Sequence, residues 1–169
     1  MAFLVAWPAF GATIDFGGGT QRVGSDIAAG TYRTRSAPSD CYWERLRGFS
    51  GQFSDVIAND FSSGYQVVRI KSTDRGFDSS GCGNWSSNLS RVTSSMTSFG
   101  QGTFIVNTDM VPGTYHSSRG ANCYWERLSG FTGEFSAIIA NNFGGRAYVT
   151  IRSTDRGFHS QRCGTWTKV

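Results

Sequence analysis

The side chains of this sequence that could do chemistry mostly occur in two copies. The repeated acids are Asp26/Asp109, Glu44/Glu126 and Asp74/Asp155. A pair of carboxylates can hydrolyse a glycoside, so Glu44 and Glu126 define a hydrolase hypothesis. The histidines are not repeated, because His116 aligns with Arg33 and His159 with Asp78. A Ser–His or Cys–His pair is therefore not a property of the repeated unit.

These patterns favour a protein that is not an enzyme. We interpret Asp26 and Asp74 as turn residues, and Glu44 as the ion-pair partner of Arg45, Arg47 or Arg75. The sequence contains neither a P-loop nor a dinucleotide-binding motif, and its "GGGT" stretch lacks the ending that a phosphate cradle needs. We therefore expect no catalytic residue, no metal and no cofactor.

The four cysteines have almost the same spacing in the two copies. Cys41 and Cys82 are 41 positions apart, and Cys123 and Cys163 are 40 apart. This predicts one disulfide per copy, each stabilising by about 4 kcal/mol in the chain-entropy model, and an oxidising final environment. Two alternatives are a four-cysteine zinc site, which usually brings its ligands in close pairs, and two reduced thiol pairs.

The chain is built from two copies of one unit. The stretch "CYWERLRGFSGQFSDVIANDF" at 41–61 returns as "CYWERLSGFTGEFSAIIANNF" at 123–143. We assign residues 1–15 to an N-terminal apolar arm and 16–85 to a first β module. Residues 86–98 form a Ser/Thr-rich linker, and 99–169 form a second β module.

Short alternating and β-branched segments predict an all-β fold. In "CYWERL", Cys41, Trp43 and Arg45 face one way, and Tyr42 with Glu44 the other. Five or six such strands in about 70 residues fit a small antiparallel β-sandwich or barrel. We therefore predict two tandem homologous modules of this kind, each with one intramodule disulfide. The segment "SDVIANDF" also fits a short helix.

The composition limits the partners. The net charge of +4 comes from scattered basic residues, so nucleic acid is not expected. The apolar N-terminus is interrupted by Pro8 and is too short for a membrane span. Two sets of side chains are interaction candidates: a binding surface of Trp43, Glu44, Arg45, Trp125, Glu126 and Arg127, and an anchor in the arm of Phe3, Leu4, Val5, Trp7 and Phe10.

The elements Cys-Tyr-Trp-Glu-Arg-Leu, Ile-Ile-Ala-Asn and Gly-Cys-Gly-x-Trp carry a resemblance. Together they resemble an uncharacterised β repeat module of actinobacterial cell-envelope and secreted proteins, and of structural proteins of their phages. The resemblance covers both modules and implies no established activity. Members of that family usually follow a secretion leader, whereas this sequence begins almost directly with the module, which favours a virion protein.

The leading hypothesis is a non-enzymatic structural or interaction protein of a phage virion, in the capsid decoration or the tail. Its partners would be other virion proteins or further copies of itself, in a homo-oligomeric assembly. The alternative is an extracellular module that binds glycan of the cell envelope, through tryptophan and tyrosine.

Overall fold

The computed structural model describes residues 14–169. The predicted anchor residues Phe3, Leu4, Val5, Trp7 and Phe10 lie outside these residues. Among the described residues, no helical segment combines the length and hydropathy that a membrane span requires.

The first module is formed by short strands with few residues between them. Its strands are β1 (Asp15–Phe16), β2 (Gln21–Arg22), β3 (Gly30–Thr34), β4 (Cys41–Leu46), β5 (Val56–Ser62), β6 (Val67–Ile70), β7 (Gly76–Ser80) and β8 (Trp85–Ser86). One 3₁₀ turn, Phe53–Asp55, precedes β5. The helix considered for "SDVIANDF" is therefore limited to this turn, and the β-branched residues after it form a strand.

The second module repeats this order. Its strands are β9 (Ser98–Phe99), β10 (Gly102–Ile105), β11 (Gly113–Ser117), β12 (Tyr124–Leu128), β13 (Ile138–Phe143), β14 (Tyr148–Ile151), β15 (Gly157–Gln161) and β16 (Trp166–Lys168). A 3₁₀ turn, Phe135–Ala137, again precedes the fifth strand.

Each module consists of two four-stranded antiparallel sheets. The orders are β1-β8-β3-β6 and β2-β7-β4-β5 in the first module, and β9-β16-β11-β14 and β10-β15-β12-β13 in the second. The predicted all-β fold of two tandem modules is confirmed. The strands outnumber the five or six expected per unit, because two-residue strands such as β1 and β2 are too short to show an alternating pattern.

A disulfide and a cluster of aromatic rings form the centre of each module. Cys41–Cys82 and Cys123–Cys163 are both bonded, and all four half-cystines are buried. The pairing excludes the zinc and free-thiol alternatives for these cysteines. Trp85 meets Phe77 edge to face, and its indole N–H donates to Ser79 Oγ at 3.0 Å. Trp166 makes the equivalent contacts in the second module.

The two modules pack against each other through buried polar contacts. Arg33 of β3 and Asp109 of the second module form a bidentate ion pair with both side chains fully buried. Arg33 also donates to the carbonyls of Leu89 and Ser90 in the linker. The backbone N–H of Thr103 donates to the carbonyl of Tyr65 at 2.6 Å. The linker and both modules therefore form one connected body around Arg33.

Removing the first disulfide tests the dependence of the small sandwich on its covalent closure. In Cys41→Ala/Cys82→Ala, we expect the free energy of unfolding of the first module to fall by about 4 kcal/mol. Denaturant titration, with hydrogen exchange of backbone amides followed separately in each module, measures it. The Cys123→Ala/Cys163→Ala variant is the matched control, and in it the loss should shift to the second module. An unchanged denaturation midpoint in both variants would contradict this expectation.

Breaking the buried ion pair should destabilise the junction. Arg33→Met leaves the Asp109 carboxylate buried without its countercharge, which costs about 3–5 kcal/mol. Arg35→Met is the control, because exposed Arg35 also donates to the carbonyl of Ser90 but carries no buried charge pair; its effect should stay within about 0.5 kcal/mol. Equal losses for the two variants in thermal unfolding would show that Asp109 does not require Arg33.

Candidate functional site

A groove of about 510 Å³ lies between the modules. The outer face of the β10-β15-β12-β13 sheet forms one side, and β5 of the first module forms the other. Its lining residues are Trp43, Phe53, Val56, Ile57, Ala58, Asn59, Asp60, Val67, Thr103, Tyr124, Glu126, Leu128, Gly130, Phe131, Gly133, Glu134, Phe135, Ala137, Ile138 and His159. Both modules are therefore needed to build it.

Two phenylalanines on the groove are almost completely open to solvent. Phe53 is 86% exposed and Phe135 is 92% exposed. Each begins the 3₁₀ turn before the fifth strand of its module, a place where the chain leaves the sandwich. Aromatic rings held in water at equivalent positions of both modules indicate an interaction surface.

The floor of the groove carries hydrogen-bonding groups on strands. Tyr124 and Glu126 are two residues apart on β12, so they share a face, and the Tyr124 hydroxyl donates to the Glu126 carboxylate. Asn141 donates to the same hydroxyl at 3.3 Å. Burial, with the hydrogen bond to Glu126, raises the pKa of Tyr124 to about 12, so its hydroxyl stays protonated and able to donate. His159 Nδ1 lies 2.9 Å from Thr103 Oγ1.

The first module presents the same surface without a partner module over it. A second, more open hollow of about 520 Å³ is lined by Thr20, Tyr42, Glu44, Leu46, Gly48, Phe49, Gly51, Gln52, Phe53, Asp55, Val56 and Asp78. Every one of these residues is the repeat counterpart of a residue that lines the inter-module groove. Among residues 14–169, the duplicated sheet face is thus partly covered in the second module and uncovered in the first.

The structure corrects part of the predicted binding surface. Trp43 and Arg45 are buried, because they lie on the core side of β4 and the second module covers them. Trp125 and Arg127 are half-buried on the core side of β12. Of the predicted residues, Glu126 and the largely buried ring of Trp43 line the groove, and Glu44 lines the hollow of the first module.

The predicted ion pair of Glu44 with an arginine is also wrong. Glu44 instead accepts a hydrogen bond from the Tyr42 hydroxyl at 2.6 Å. The partner of Arg45 is Asp74. The Asp74 carboxylate accepts hydrogen bonds from Arg45 Nε–H and Nη2–H at 2.7 and 2.8 Å. Asp74 also accepts from the Lys71 backbone N–H at 2.8 Å, so its predicted turn role accompanies an ion-pair role.

Sequence reasoning missed the groove residues with the greatest exposure. Phe53 and Phe135 are a repeated pair in the sequence, but residue type alone does not separate buried from exposed aromatic side chains. Tyr124 was overlooked beside Trp125, although the alternation of β12 places it on the opposite face. His159 lies in the groove and is 7% exposed, whereas the His116 ring lies tilted beside that of Tyr148 in the other sheet.

The comparisons with known proteins gave one match. A family model described as the Rv1352-like extracellular domain matches residues 13–86 and again residues 96–167. No curated protein and no solved structure matches the chain. The two matched segments correspond to the two sandwiches, so each module carries the pattern of the family separately.

Glu134 at the edge of the groove should make stability depend on pH. Its hydrogen bond from Lys71, and a second from Arg45, hold its pKa below the ordinary value against the opposing effect of burial. The unfolded state therefore binds this proton more tightly, and the contribution is lost as pH falls through the lowered pKa, below about 4.3. In Glu134→Gln, the free energy of unfolding should fall less between pH 7 and pH 3 than in the wild type. Identical pH profiles would contradict this assignment.

Proposed function

The chain belongs to the Rv1352-like extracellular domain family, and on this basis we propose that it is a non-enzymatic extracellular module that binds envelope glycan in the groove between its two sandwiches. The two disulfides fit a protein that works in an oxidising environment. The single observation that carries the choice of ligand is the pair of exposed rings, Phe53 and Phe135, on a groove with a polar floor.

The chemistry of the groove suits a sugar chain. The C–H faces of pyranose rings pack on aromatic rings, and their hydroxyl groups exchange hydrogen bonds with carboxylates and amides. Phe53 and Phe135 supply the rings, while Asn59, Asp60 and Glu126 supply the polar groups. The groove carries acceptors as well as donors, which a ligand rich in hydroxyl groups can use in both directions.

The family match favours this extracellular reading over a virion protein. A capsid or tail location has no support in the match, and it stays a prediction from the resemblance of the motifs. Both hypotheses describe a protein without enzymatic activity that consists of two similar modules.

The pairing of Tyr124 with Glu126 supports a role in binding rather than in hydrolysis. The same pair recurs as Tyr42 and Glu44 in the first module, on the uncovered sheet face. A tyrosine–glutamate pair that both modules keep fits a role in holding the strand face together. In the groove, it also presents a fixed acceptor to a ligand hydroxyl.

Truncating the exposed rings should weaken binding while leaving the fold intact. In Phe53→Ala and Phe135→Ala, we expect at least about tenfold weaker binding to purified cell-wall polysaccharide, since an aromatic anchor contributes 1.4 kcal/mol or more. A sedimentation pull-down followed by calorimetry measures the affinity. Tyr148→Ala is the matched control, because Tyr148 is 75% exposed on the other sheet of the second module and lies outside the groove.

Two outcomes would count against this proposal. Equal loss in the Tyr148→Ala control would mean that the groove is not the binding site. Release of reducing sugar by the wild type, abolished in Glu126→Gln, would replace binding by hydrolysis.

A further inference from the structure

A loop of the second module plugs an open side of the first module. We call residues 129–134 the docking loop, and the side of a module between its fifth and sixth strands the receiving edge. The receiving edge of the first module contains Trp43, Arg45, Ala58, Arg69 and Lys71. Arg45 Nη1 donates to the carbonyl of Thr132 at 2.6 Å, and the Arg69 backbone N–H donates to the carbonyl of Phe131 at 2.7 Å.

A close apolar contact and an ion pair also hold the docking loop on the receiving edge of the first module. A Cβ at Gly133 would lie 2.6 Å from the ring of Trp43 and 3.3 Å from Cβ of Ala58, so the loop fits only with glycine there. Glu134 at the end of the loop pairs with both Arg45 and Lys71. The docking loop thus combines a backbone contact, an apolar contact and an ion pair at one receiving edge.

The second module has the same receiving edge, and it is uncovered within residues 14–169. Its counterparts are Trp125, Arg127, Ala140, Thr150 and Arg152. Arg127 holds Asp155 through Nε and Nη2, as Arg45 holds Asp74, but its Nη1 makes no hydrogen bond to the described residues. The Arg127 side chain is 12% exposed, whereas that of Arg45 is 0% exposed.

The first module in turn has a loop of the same shape, and no residue in the described part of the chain receives it as the first module receives the docking loop. In residues 47–52, Gly51 has φ of +74°, and its counterpart Gly133 has φ of +70°. The same backbone hydrogen bond closes both loops, from Arg47 N–H to the Asp55 carbonyl and from Ser129 N–H to the Ala137 carbonyl. Phe49, the counterpart of Phe131, remains 46% exposed.

We propose that this chain associates head to tail with further copies of itself, the free loop 47–52 of one copy docking on the receiving edge of the second module of the next. Within residues 14–169, both halves of an interface already formed inside the chain are also present on its outside, where no described residue forms that interface with them. An interface of this kind is heterologous, so it produces an open filament or a ring rather than a symmetric dimer.

The substitutions between the two copies make the intermolecular contact weaker than the intramolecular one. Gln52 stands where the docked loop has Glu134, so it provides an amide oxygen but no charge to Arg127 and Arg152. Tyr65, whose ring packs edge-on against Phe104 of β10, is replaced by Arg146. Restoring an acid at position 52 should therefore strengthen association, which gives the proposal a gain-of-function test.

Sedimentation velocity on the full chain, up to about 1 mM because small contacts are weak, tests the proposal. The weight-average mass of the wild type should rise with concentration past that of a dimer. Gln52→Glu should associate about five- to tenfold more tightly at low salt, and high salt should reduce that gain. Ala140→Arg should remain monomeric, because the new side chain occupies the space that Gly51 would enter.

Thr167→Arg is the control, because it adds the same charge at an exposed position of the other sheet of the second module. It should associate like the wild type, and thermal unfolding should show that Ala140→Arg is folded. A wild type and Gln52→Glu that both stay monomeric would overturn the proposal. So would an association that Ala140→Arg leaves unchanged, or a mass that stops at the dimer. Ala140 does not line the groove, so glycan binding and self-association fail separately.

Discussion

The covalent closure of each small sandwich is the constraint on which the rest of the molecule depends. Cys41 starts β4, and Cys82 follows β7, so the bond ties one sheet to the segment that leads into β8 of the other. Trp85 of β8 then packs against Phe77 of β7 in the core. With the two sheets held in this way, a module of modest size can leave a complete sheet face free for contact with other molecules.

The duplicated face has acquired two different uses. In the second module, β5 of the first sandwich stands beside it, and the resulting groove contains Glu126 and two exposed rings. In the first module, the same strand positions form an open hollow around Glu44. The receiving edges diverge in the same manner, since Arg45 is covered and Arg127 is not. The same repeated residues therefore lie in two different environments, because each copy has the other module on a different side.

The sequence contains enough information to predict the modules but not the groove. The cysteine spacing predicts the disulfide correctly, and the alternation places Cys41, Trp43 and Arg45 on one face of β4, but it does not say that this face is buried. The burial of Arg45 depends on Asp74, 29 positions away, and on Thr132, 87 positions away. Neither contact leaves a periodic pattern in the sequence. The sequence alone therefore suggests that Arg45, beside Trp43, belongs to a binding surface. Packing between the modules, which buries Arg33 against Asp109, likewise leaves no mark on either repeat.

The plugged receiving edge makes the two halves of the gene unequal as fragments. A polypeptide ending after the first sandwich would present Trp43, Ala58 and Val67 to water, since all three line the groove that the second sandwich helps to build. Apolar surface uncovered in this way promotes aggregation. The second half loses the countercharge of Asp109 and the ring of Tyr65 that packs on its core, but its own receiving edge is already uncovered within residues 14–169. The C-terminal half is therefore the natural starting point for a minimal version of this fold.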